Sequence, residues 1–204
     1  MRRVFMFAVA SLFLLAACLP GDLAALTGSG QAGTRALAVD PRDGKVLKGV
    51  TDGLTQSRDD GQSWQRVTVP AELAGKEVSH VALRADAPDI VYIAGEAIGI
   101  WRSRDGGKTW QKTTDGLVSD QVSALAVHTN GYPRDSRKSL FAWVVAAGMF
   151  ESQDEGDSWK RSVDTGMGLD GKHVVSLTHS PLEGSMNTGW LYASTPAGAY
   201  LSMD

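Results

Sequence analysis

Three aspartates recur in one local setting. Asp59, Asp105 and Asp154 each stand two residues after a serine, two before a glycine and five before a tryptophan, in SRDDGQSW from Ser57, SRDGGKTW from Ser103 and SQDEGDSW from Ser152. A carboxylate flanked by hydroxyls could exchange a proton, hold a hard cation or accept hydrogen bonds from its own turn. The companion glycines Gly61, Gly107 and Gly156 suit turn positions whose backbone angles exclude side chains, which favours the structural use. Outside these motifs the candidate acids are Glu96 in AGEAIG, Asp115, Asp120, and Glu183 in PLEGSMN. Glycoside hydrolysis needs two carboxylates about 5–9.5 Å apart across a cleft. No two of these acids form a pair in sequence, so each reads as solvated surface.

The elements that position these residues follow from a repeat. Four segments align around a glycine, GLTQS from Gly53, GIWRS from Gly99, GMFES from Gly148 and GAYLS from Gly198, at spacings of 46, 49 and 50 residues. Upstream of each lies an apolar segment, and before that another with alternating large residues: Leu37/Val39, Val81/Leu83, Leu125/Val127 and Val175/Leu177. Period-two alternation bounded by Gly, Asp, Asn and Pro predicts strands. With a short segment after each tryptophan, every repeat becomes a four-stranded antiparallel meander. Units of that length and strand count are the mark of propeller blades, so the expected class is all-β, with about four blades near 35–70, 78–115, 121–165 and 173–204. The stretch PAELAGKE from Pro70 predicts a short connector at most.

The motif resembles the Asp-box, or bacterial neuraminidase repeat, found in sialidases, glucan-cleaving glycosidases, sortilin-like receptors and photosystem assembly factors. The resemblance runs from Leu37 to the C-terminus. It implies that each box forms the hairpin between the third and fourth strands of a blade. Asp59, Asp105 and Asp154 would then accept charge-assisted hydrogen bonds worth about 1.5–3 kcal/mol each. Trp64, Trp110 and Trp159 would plug the base of each blade, where truncation costs about 3–5 kcal/mol. A sialidase would also need an arginine cluster, a Tyr/Glu nucleophile pair and an acid aspartate. The family's Arg-Ile-Pro motif is absent, Arg58 and Arg104 read as exposed turn residues, and Tyr92, Tyr192 and Tyr200 read as blade packing. Sialidase chemistry is therefore not expected.

His80, His128, His173 and His179 fall on or beside first strands, which line a propeller's channel. Their positions in the repeat differ, so neither a metal nor another cofactor is expected. The connections from Val127 to Ala142 and from Leu177 to Tyr192 are five residues longer than that from Leu83 to Ile93. Extra length on one face of a repeat array marks a candidate binding rim, with Tyr132, Arg134, Arg137, Lys138 and Glu183 as its residues.

The N-terminus supplies an address. Arg2 and Arg3 precede an apolar run from Val4 to Leu15 that is too short to span a bilayer, then small residues up to Cys18. Leu15-Ala16-Ala17-Cys18 resembles the bacterial lipobox, which implies a signal peptide over 1–17, lipidation of Cys18 and a flexible tether over 18–34. Leu19 after the cysteine resembles an outer-membrane sorting signal, placing the protein in the envelope and facing the periplasm. Cys18 is the only cysteine, so the fold relies on packing and hydrogen bonds. Removing Arg2 and Arg3 takes the formal charge from −3 to −5 with no basic cluster, which excludes nucleic acid as a partner.

Ser202 and Asp204 stand in register with a fourth box whose glycine and tryptophan are not in the sequence. The expectation is an incomplete fourth blade with a strand edge open to pairing, in a chain read either as a truncated form of a longer propeller or as an open arc. Two functional readings stay open. One is a non-catalytic, lipid-anchored scaffold that binds a protein or glycan partner. The other is a glycoside hydrolase, sialidase-like or glucanase-like, or the N-terminal fragment of one.

Overall fold

The computed structural model describes residues 33–127, 139–162, 169, 173–180 and 190–202. A unit of residues 1–31, which contains Cys18, lies outside them; the unit of residues 32–204 carries every element below. Blade one comprises β1 (Thr34–Val39), β2 (Val46–Val50), β3 (Gly53–Ser57) and β4 (Gln65–Arg66). Blade two comprises β5 (His80–Leu83), β6 (Val91–Gly95), β7 (Gly99–Ser103) and β8 (Gln111–Lys112). Blade three comprises β9 (Val122–Val127), β10 (Leu140–Val144), β11 (Gly148–Ser152) and β12 (Lys160–Arg161), and blade four comprises β13 (Ser176–His179), β14 (Leu191–Thr195) and β15 (Gly198–Ser202). Each sheet is an antiparallel meander in chain order, of four strands in the first three blades and of three among the described residues of the fourth. The chain is an all-β, four-blade propeller. PAELAGKE contributes one 3-10 turn, Ala71–Leu73, whose Leu73 is buried.

The glycine that opens each third strand has a local cause. Gly53, Gly99, Gly148 and Gly198 all have positive φ, between 70° and 140°, as the tight β2–β3 type of hairpin demands.

Register makes the repeats comparable residue by residue. Val46, Val91, Leu140 and Leu191 pair with Ser57, Ser103, Ser152 and Ser202 on one side, and with Val39, Leu83, Val127 and His179 on the other. One alignment is thereby corrected: the fourth equivalent of Val81/Leu83 is Leu177/His179, not Val175/Leu177. Alternation alone accepts either pair, whereas the ladder to β14 admits one. Val175 falls before the strand, at the place of Arg35, Ser79 and Ser123, and is 45% exposed.

Each blade has a leading face toward the blade before it and a trailing face toward the blade after. The first core joins Leu54 of blade one to Ile93 and Trp101 on the leading face of blade two. In the second, Tyr92, Ala94 and Ile100 trail from blade two onto Leu125, Ala142, Phe150 and Trp159. The third sets Ala124, Trp143 and Met149 against Leu177, Leu191 and Ala193 of blade four. Burial of these apolar stripes, at about 25 cal/mol per Å², is what holds successive sheets together.

Candidate functional site

At the motif hairpins the carboxylates are spent on their own turns. Ser57 Oγ donates to Asp59 Oδ1 at 2.7 Å, and Ser63 donates from its amide to Oδ1 at 2.9 Å and from its hydroxyl to Oδ2 at 2.5 Å. The Gly61 amide in turn donates to Ser57 Oγ at 2.8 Å. The same pattern repeats around Asp105 with Ser103 and Thr109, and around Asp154 with Ser152 and Ser158. Asp60, Gly106 and Glu155, each followed by the motif glycine, have positive φ, so two consecutive left-handed residues make each turn. The Ser63 hydroxyl and amide, then the Ser57 hydroxyl, hold Asp59 down to about 2. Thr109 and Ser103 likewise lower Asp105, and at Asp154 burial, which works the other way, is outweighed by the Ser158 and Ser152 bonds. Groups so fully hydrogen-bonded in the ionised form have no reason to take a proton near neutrality.

The hairpin of blade three also locks onto blade two. Arg84 and Arg102 have side chains only 4% and 2% exposed. Arg84 pairs with Asp86 and Glu155, and Arg102 donates to the Glu155 carbonyl at 2.7 Å and to Asp157 at 2.6 Å. Tyr92, its hydroxyl pushed up to about 12 by burial, donates to the same carbonyl at 3.0 Å. Arg104 is exposed in its turn, as read, and also reaches Glu155 at 3.2 Å. Between blades one and two the counterpart is lighter, with Lys45 Nζ donating to the Gly106 carbonyl at 3.3 Å and Arg42 bridging Asp40 and Asp89.

The tryptophans form a gradient. Trp159 is 3% exposed and donates to the Thr113 carbonyl of blade two at 2.8 Å. Trp110 is half-buried against the core between blades one and two. Trp64 is also half-buried and only caps its own hairpin, donating to the Gly61 carbonyl at 3.0 Å, with Lys48 Nζ 3.7 Å from its ring centre. A common plug role therefore needs correcting for Trp64, whose contacts here are with its own hairpin and Lys48.

The concave site lies at the other end of the sheets. Inner strands or their approaches from all four blades enclose a channel of about 630 Å³, with Arg35, Glu77, His80, Glu96, Ser123 and His173 among its lining. Arg35 pairs with Glu77 at 3.2 Å. His80 Nδ1 lies 2.9 Å from Ser79 Oγ, and the ring also hydrogen-bonds the backbone of Val175. Burial lowers the imidazole pKa, opposed by the Val175 bond and the Glu96 charge. A side chain from blade two thus meets blade four across the channel.

Of the candidate acids, Glu96 lines the channel. Asp120 instead pairs with Lys112 at 2.5 Å, and the Asp115 carbonyl accepts the Trp159 amide at 2.8 Å. His80 and His173 reach the channel, while His179 sits on β13; Arg58 pairs with Asp43 at 3.2 Å. Among the described residues no group of three or more His, Cys, Asp or Glu is arranged to hold a metal. Tyr92 and Tyr200 pack as read, but Tyr192 is 37% exposed. His128, the rim residues Tyr132, Arg134, Arg137, Lys138 and Glu183, and Asp204 lie outside the described residues. Sequence reasoning missed Arg35 and Glu77. Their signal was position, on and just before inner strands that must face a channel.

No family model matches the chain, and no curated protein matches it. Solved structures do. A GH74 enzyme of Niastella koreensis is 17% identical with a TM-score of 0.61, over 81% of this chain and 26% of that one. The RRP9 WD40 repeats are 15% identical, TM-score 0.59, over 83% and 47%. YCF48 bound to D1 peptide is 18% identical, TM-score 0.56, over 81% and 49%. What these share with this chain is the β-propeller fold. The chain spans between about a quarter and a half of their lengths.

Proposed function

We propose that this chain is an exported Asp-box propeller, anchored in the outer membrane through a lipid on Cys18, that serves as a non-catalytic scaffold for a protein or glycan partner. The partner is taken at the rim loops 129–139 and 180–189, which join first to second strands at the motif-hairpin end of the sheets, and the channel offers a concave surface at the opposite end. The observation that supports this is the channel itself: four blades converge on one cavity of mixed polar and apolar lining, while the repeated carboxylates are consumed by their hairpins. YCF48 in a solved structure holds a peptide, so the fold is a suitable host for one. Pull-down of envelope partners with the intact protein and with both rim loops deleted tests the reading. Loss of capture is expected on deletion, and unchanged capture refutes it.

A second reading has one specific support. Glu77 and Glu96 share the channel, and several similar structures are GH74 enzymes. A general acid and a nucleophile or base on two carboxylates would make a glycoside hydrolase. Turnover of sialosides or glucans that Glu77→Gln or Glu96→Gln abolishes would move the chain to that class.

A further inference from the structure

The channel gathers free charges of both signs beside apolar side chains. Arg35 meets Glu77 through Nε at 3.2 Å, and both side chains are exposed. The terminal nitrogens of Arg35 make no hydrogen bond among the described residues, so its planar fork is open to a second carboxylate. Glu96 stands in the same lining with neither a hydrogen bond nor an ion pair among the described residues, and its charge reaches His80. His80 itself is spent, between Ser79 Oγ at 2.9 Å and the backbone of Val175. At the edge, exposed Lys76 donates to the carbonyl of Ala97, a lining residue, at 3.4 Å. The lining also holds Leu37 and Val175, which are 59% and 45% exposed, with Val81 and Leu125 beside them.

Simpler ligands fit this set badly. A polyanion meets the carboxylates of Glu77 and Glu96, and a polycation meets Arg35 and Lys76. A neutral sugar finds no Phe, Tyr or Trp in the lining on which to lay its apolar face. A wholly apolar ligand would take the Arg35 fork and the Glu96 carboxylate out of water without giving either a partner. A ligand that carries both signs on an apolar body meets all of these demands. Resting on the reading of the channel as a binding surface, we propose that it takes a short peptide with free termini. The peptide carboxylate sits on the Arg35 fork, its ammonium at Glu96, and its apolar side chains on Leu37, Val81 and Val175. The cavity of about 630 Å³ falls within the range of about 300–1,000 Å³ of small-molecule sites, which limits the peptide to a few residues. The exposure of Leu37 and Val175 then has a use, since each contributes apolar surface that the ligand covers.

Isothermal titration calorimetry of the full chain with the tripeptide Leu-Ala-Leu, its N-acetylated form and its C-amidated form reads the outcome. The free tripeptide is expected to bind, and blocking either terminus to weaken binding about tenfold, through loss of one charge-assisted contact. Arg35→Gln should weaken the free and acetylated peptides alike and leave the amidated one unaffected, because only that peptide lacks the carboxylate. Glu96→Gln should weaken the free and amidated peptides and spare the acetylated one. Both positions are exposed, so the variants keep the fold, which near-UV circular dichroism checks. A free tripeptide that does not bind, blocked peptides that bind as well as the free one, or losses indifferent to which terminus is blocked overturn the proposal. Binding of cellotetraose in place of the peptide overturns it too, yet leaves the scaffold reading standing. The pull-down with the rim loops deleted reads the opposite end of the sheets, so its failure and a failed titration fall on different claims.

Discussion

Blades one and three share one strand register and one hairpin motif and meet opposite surroundings. In blade three Leu125, Ala142, Phe150 and Trp159 are all buried against blade two. In blade one the equivalent places hold Leu37, which is exposed, and Lys48, Thr55 and Trp64, which are half-buried. The inner position stays apolar, the middle two turn polar, and the tryptophan is kept but shielded by the Lys48 ammonium. The difference teaches that the motif hairpin and the blade junction are separable. The hairpin is local, closes within about eight residues and is the same everywhere; the energy of its tryptophan depends on the neighbour.

The largest effect that can break this separation lies at the tryptophans. Trp159→Ala should cost about 3–5 kcal/mol, because it empties a packed junction and orphans the Thr113 carbonyl. Trp64→Ala should cost about 1 kcal/mol or less, chiefly its contact with Lys48. Urea unfolding of the two variants measures both. Equal losses would mean that the motif tryptophan acts within its hairpin and that blade contact adds nothing.

A smaller contrast sits at the inner strands. Leu177→Ala removes a side chain enclosed by Trp143 and its neighbours and should cost about 2–5 kcal/mol, whereas Leu37→Ala should fall within about 0.5 kcal/mol. The pair shares residue type and repeat position. Unfolding midpoints that shifted alike would show that Leu37 is covered in the folded chain in solution.

How far these differences could be read from sequence depends on their range. Glycines at fixed offsets and serine two residues before aspartate are local signals, so blade phasing and strand order were legible from Gly53, Gly99, Gly148 and Gly198. Alternation also marked the inner strands, but it is blind to a shift of two residues, and Val175 was taken for the position that Leu177 holds. Burial of Tyr192 was read from its apolar flanks, yet flanks report which face a residue is on and not whether another sheet covers that face. The channel was the least legible part. Arg35 and Glu77 are ordinary surface residues in sequence, and only the packing of successive sheets around an axis brings them beside Glu96 and His80.

The smallest effect tests the local half of the comparison. Folding lowers the pKa of Asp59, Asp105 and Asp154 through bonds from the same motif positions in each. A carboxylate depressed in the folded state stabilises it above the unfolded value of 3.8, and that contribution is lost as pH falls toward the folded value, about 2 for Asp59. Stability should therefore decline between about pH 4 and pH 2, with each aspartate contributing to the slope. Replacing any one by Asn removes its share of that pH dependence while leaving a side-chain acceptor for the turn. Because the bonding is the same in an exposed blade and in an enclosed one, Asp59→Asn and Asp105→Asn should flatten the acid limb by similar amounts, as read from urea midpoints across that range. This equality is the reverse of what the tryptophans should show. If instead the Asp105 variant flattened the limb and the Asp59 variant left it unchanged, the hairpins themselves would depend on blade contact, and the separation between motif and junction would fail.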